Sequence, residues 1–129
     1  MDFEKAISVH ANLKTRLAIF VGGRSQETFV PALVARDELC IVGQWLHADA
    51  AVMAGQPDYE ALVAVHRRFH LCAAEVVQKV VDGDPRGAIH LLELGPYAEA
   101  SAQVLTLLRG LAAQLRAADK DRDWVSRAP

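Results

Sequence analysis

Apolar residues recur along this chain at the three-to-four-residue spacing of a helix face. Phe3, Ala6, Ile7, Leu13, Leu17 and Val21 share one stripe with His10, and Gly22-Gly23 ends the run. This predicts a first helix from Asp2 to Val21. Pro31 suits a first helical turn and opens a second helix, expected to reach Ala54, with Gly55 as its stop. Asp58 reads as an N-cap for a third helix, from Tyr59 to about Val81. There, Leu62, Val63, Phe69, Ala73 and Val77 share a stripe with His66 and His70. Asp82-Gly83-Asp84-Pro85 breaks the chain, and a short helix follows over Arg86 to Leu94. After Gly95-Pro96, a last helix runs from Tyr97 to about Ala118. The expected fold is all-α: an antiparallel four-helix bundle with an additional short helix. Residues 1–118 make the helical domain. Residues 119–129, starting with the mixed charges Asp119-Lys120-Asp121-Arg122-Asp123, make a flexible tail.

Composition narrows the function classes. The chain has 129 residues, 52% hydrophobic and only 6% aromatic, which favours one helical domain over a β sandwich. A net charge of -2 without a basic run argues against nucleic acid as partner. No apolar run has the length of a membrane span, and Met-Asp-Phe-Glu-Lys is no apolar leader. A cytoplasmic protein is expected. In a reducing compartment, Cys40 and Cys72 are expected to ligate metal or to pack rather than form a disulfide.

The chemistry lies in ionisable groups on apolar faces, where an unpartnered polar group is costly. His66 and His70 stand four apart and project side by side. His10 sits mid-stripe on the first helix. On the second, Cys40 shares its side with Phe29, Leu33 and Gly43. Each alone has a plainer reading, as a satisfied core histidine or a small hydrophobe. Together, nitrogen and sulfur donors from three helices match the tetrahedral preference of zinc. His47 falls near the Cys40 side, but about 10 Å along the axis at 1.5 Å per residue, too far to share one ion. Cys72 is rotated away from the His66 and His70 direction and reads as packing. His90 has no partner pattern, and Arg67 and Arg68 read as a solvated face.

The segments Val9-His10-Ala11-Asn12-Leu13-Lys14, Cys40-Ile41-Val42-Gly43-Gln44-Trp45 and His66-Arg67-Arg68-Phe69-His70 resemble the chemoreceptor zinc-binding (CZB) family. Its pattern is a histidine, then C-x-x-G-x-W, then H-x-x-x-H. The cysteine, glycine and tryptophan of the middle segment are the most specific matches. One departure is Leu13, where the family commonly carries an aromatic residue. The resemblance implies one zinc held by His10, Cys40, His66 and His70. It also implies zinc sensing and, in some members, sensing of hypochlorous acid through the cysteine. Gly43 would then let another helix approach the thiolate. Trp45 and Phe69 would wall the site against water, and Asp37 would accept the free N–H of a ligating histidine.

Four donors leave no open position for substrate water, and no H-E-x-x-H pattern is present, so catalysis is not expected. Output would pass through a homodimer or a signalling protein in trans. The alternatives are a DinB-like metalloenzyme with a three-histidine metal, in which Cys40 is a bystander, and a purely structural zinc.

Overall fold

The computed structural model describes residues 2–126, with side chains described through Lys120. Helix α1 spans Phe3–Val21, and the Asp2 side chain caps it by accepting from the Lys5 amide at 3.1 Å. It ends where Gly23 takes a φ of +74°, a left-handed conformation open to glycine. Helix α5 spans Pro57–Val81, α6 Pro85–Glu93 and α7 Pro96–Ser126, each with proline in its first turn. Asp84 caps α6 by accepting from the Gly87 amide.

The described residues form helices and no strand, so the fold is all-α as expected. Helix α5 is the hub and packs against α7, α6 and α1. Leu62, Phe69, Ala73, Val76 and Val77 of α5 are buried with Leu17 of α1 and Val104, Leu108 and Leu111 of α7. At about 25 cal/mol per Å² of apolar area removed from water, this one core is the main source of stability. Among the described residues, no helix is long and apolar enough to cross a membrane.

One expectation fails. The continuous second helix from Pro31 to Ala54 is instead a chain of short pieces. These are α2 (Pro31–Val34), a 3-10 turn (Asp37–Leu39), α3 (Ile41–Ala48) and α4 (Ala50–Met53). Arg36 and Cys40 have ψ angles of 98° and 142°, and such extended backbone interrupts any helix. The turn folds back onto α3. An added Cβ at Gly43 would lie 2.0 Å from the Asp37 carbonyl oxygen, so only glycine admits that contact. The bundle therefore has three long helices and a segmented fourth side. The last helix also runs beyond Ala118 to Ser126. Most of the tail expected at residues 119–129 lies outside the residues whose side chains are described.

Candidate metal centre

Two rigid helices and the segmented side bring four donors to one point. His10 comes from the middle of α1, and His66 and His70 from adjacent turns of α5. Cys40 is the residue immediately before α3, in extended backbone, and not inside a helix. The donor atoms of His10, Cys40, His66 and His70 all lie within 4.8 Å of one another. The Nε2 atom of His66 is 3.2 Å from Nε2 of His10 and 3.2 Å from Nε2 of His70. Cys40 Sγ lies 3.6 Å from His10 Nε2.

The ring orientations follow from the backbone. His10 Nδ1 donates to the Ala6 carbonyl at 2.9 Å, and His70 Nδ1 donates to the Val34 carbonyl at 3.0 Å. A carbonyl only accepts, so the proton sits on Nδ1 and the lone pair on Nε2. The acceptor for His70 is the carbonyl at the end of α2, where the second helix breaks. Asp37 was expected to take a histidine N–H. Its carboxylate stops 4.0 Å from His66 Nδ1, beyond hydrogen-bond reach, and His66 Nδ1 is buried without a partner.

Burial lowers the pKa of all three histidines. For His66 desolvation is the largest cause, followed by His70, His10 and His47, and its value falls to about 3. His10 and His70 are also lowered, chiefly by desolvation. The rings are therefore neutral at pH 7, the state that ligates metal. A neutral His66 can donate from Nε2 to only one of its two neighbours, so one inward lone pair stays unpaired, and a cation at the centre would engage all of them.

The donor set also fits in size. Tetrahedral zinc with bonds of about 2.0–2.1 Å to nitrogen and 2.3 Å to sulfur has N–N edges of about 3.3 Å and N–S edges of about 3.6 Å. Three of the six donor–donor distances, those given above, match such edges, and the others lie within 4.8 Å. The sequence pattern of the chemoreceptor zinc-binding domain matches residues 10–77, just over half of the chain. The chain belongs to the CZB family. No curated protein and no solved structure matches it. CZB is a regulatory, zinc-binding family, and the His10, Cys40, His66 and His70 cluster of this member suits that metal.

The remaining residues singled out from the sequence divide. Phe69 is fully buried, and its ring centroid lies 5.4 Å from that of His10 and 5.5 Å from that of His70. It walls the site from the core side. Trp45 does not share that role. Its ring packs edge-on against Phe3 at 4.9 Å, two turns before His10, and ties α3 to the start of α1. Gly43 makes room for the Asp37 carbonyl and not for another helix. His47 is exposed, stays out of the cluster and faces the Asp37 carboxylate at 4.0 Å. Cys72 is buried in the core, a free thiol whose pKa desolvation raises, and His90 is exposed. Sequence reasoning missed the Ala6 and Val34 carbonyls. Only the short i, i−4 step from His10 to Ala6 could have been anticipated.

The pKa shifts give a signed expectation. The unfolded chain takes up histidine protons near pH 6.5, and the folded chain resists until lower pH, about 3 for His66. The unfolded state thus binds more protons as pH falls. Stability of the metal-free protein is expected to be constant above about pH 7 and to fall progressively from pH 6.5 toward 3. A urea midpoint that stays flat between pH 7 and 4 would contradict this.

Proposed function

We propose that this domain is a regulator that holds one zinc through Nε2 of His10, His66 and His70 and Sγ of Cys40. It responds to zinc availability or to oxidation of the ligand sulfur. The observation that carries the reading is the asymmetry of the donor set. The three histidines are buried on long helices, while Cys40 is half-buried between short pieces of chain and lines an open cavity. Zinc, when bound, keeps a cysteine as thiolate, the form that oxidants attack. Losing that bond removes one tie between the 31–48 segment and the long helices, loosens the segment and turns ligand chemistry into a change of shape. Four protein donors leave no position for a substrate, which supports regulation over catalysis. In a cytoplasmic setting the change would be read by a second copy or by a signalling partner.

Zinc K-edge absorption on tag-free protein tests the assignment. Three nitrogens and one sulfur are expected, with the sulfur absent in Cys40→Ala. A shell of nitrogen and oxygen alone sinks the proposal and favours an open, three-histidine site. On the same samples, mild oxidant is expected to release zinc and to alter sedimentation. Zinc retained with unchanged helix content and assembly leaves a structural staple.

A further inference from the structure

The cavity beside the cluster has a volume of about 290 Å³, and it reaches from the surface to Cys40, His10 and His70. Its walls are apolar, formed by Leu13, Phe29, Leu33, Leu39 and Ile41. Leu33, Leu39 and Ile41 are at least half exposed, an arrangement that costs free energy unless something covers it. A cavity of roughly 150 Å³ already accepts benzene, so this one admits a branched or aromatic hydrocarbon group. Two arginines also line it, and each already faces a carboxylate. Arg16 is paired with Glu27 at 3.0 Å and Arg36 with Glu38 at 2.7 Å. The cavity is thus shaped for a neutral apolar molecule, and it leads to the sulfur of Cys40.

We propose that this cavity binds neutral organic hydroperoxides and presents their terminal oxygen to Cys40. The proposal rests on the reading of Cys40 as a zinc-bound thiolate. The sulfur lone pair attacks the terminal oxygen, an S–O bond forms and the O–O bond breaks. Sulfur is oxidised by two electrons and the peroxide is reduced by two. The alkoxide leaves, takes a proton from water and departs as the alcohol. Cys40 is left as the sulfenic acid, a weaker ligand. Hydrogen peroxide and hypochlorous acid carry no hydrocarbon group and gain nothing from the walls. Each methylene-sized group buried there is worth about a factor of four.

The test uses the full zinc-loaded chain with cumene hydroperoxide, tert-butyl hydroperoxide and hydrogen peroxide. Zinc release is followed with a chromogenic chelator, and the added oxygen is located by peptide mass. Rates are referenced to those of each oxidant with N-acetylcysteine. Cumene hydroperoxide is expected to react at least tenfold faster than hydrogen peroxide on that scale, with Cys40 modified. Cumyl alcohol, which cannot oxidise, is expected to slow that reaction by competition. Leu33→Ser and Leu39→Ser, at exposed positions that tolerate polar groups, are each expected to lower the rate ratio at least threefold. Equal referenced rates, or a ratio unmoved by both variants and by cumyl alcohol, overturn the cavity's role while oxidant sensing stands. If no oxidant modifies Cys40 or releases zinc, the oxidant-sensing reading itself fails.

Discussion

Removing zinc is expected to lower the unfolding midpoint of this protein by about 10–20 °C. An ion present at a thousand times its dissociation constant adds about 4 kcal/mol to a folded state that alone binds it. For a chain of 129 residues, each kcal/mol moves the midpoint by roughly 3–5 °C. The structural reason lies in what metal loss leaves behind. Three buried imidazoles remain around His66 Nε2, which can donate to only one of its neighbours at 3.2 Å, and the buried Nδ1 of His66 has no partner. Thermal scans of chelator-treated and zinc-saturated samples measure the shift. A difference below about 3 °C would mean that the cluster adds little to the fold. Hydrogen exchange on the same samples is expected to open first in residues 31–48, which are held in part by Cys40 and by the bond from His70 to Val34.

The second large effect is expected from one methyl group. In Gly43→Ala, the new Cβ would stand 2.0 Å from the oxygen and 2.8 Å from the carbon of the Asp37 carbonyl. Both are backbone atoms, so no side chain can swing aside. The 3-10 turn must lift away from α3, and Cys40 lies on that turn's last bond. The variant is expected to lose about 3 kcal/mol of stability, the upper range for overpacking. Zinc affinity is expected to fall about 10–100-fold, as when a residue that supports a ligand is lost. Gln44→Ala, at the exposed next position of the same helix, is the control and should change neither. Titration against a competing chelator measures the affinities. Wild-type affinity in Gly43→Ala would refute the role assigned to the close contact.

The sequence and the structure agree where periodicity carries the information. The stripe through His10 and the four-residue step from His66 to His70 need only a helix to be read correctly, and α1 and α5 are helices. The second side of the bundle departs from the expected helix although nothing between Ala32 and Val42 is a strong breaker. Ala, Leu, Val, Arg and Glu there are compatible with helix. Its interruptions at Arg36 and Cys40 come from tertiary contact, and their one local sign is a glycine two residues inside α3. The same error misplaced the role of Gly43, because on a continuous helix it could only face a neighbour. The C-x-x-G-x-W resemblance sets Trp45 beside the site, and the break turns it toward Phe3 instead. The carbonyls that orient His10 and His70 are backbone atoms, and no side-chain pattern reports them. His47 was set aside by an axial distance along a helix that does not exist, yet the structure also keeps it out of the cluster.

Holding three ligands on long helices and one on a strap of short pieces separates two kinetic quantities. The imidazoles stand preassembled on α1 and α5, so they set how fast an arriving ion is caught. The strap carries the thiol, the one donor that no long helix holds, so it sets how long the ion stays. Changes in the strap that spare the Val34 carbonyl, which orients His70, should therefore lengthen or shorten residence while leaving capture alone. A cell could then retune the lifetime of the bound state by altering residues 35–48, without touching the histidines that define which metal enters.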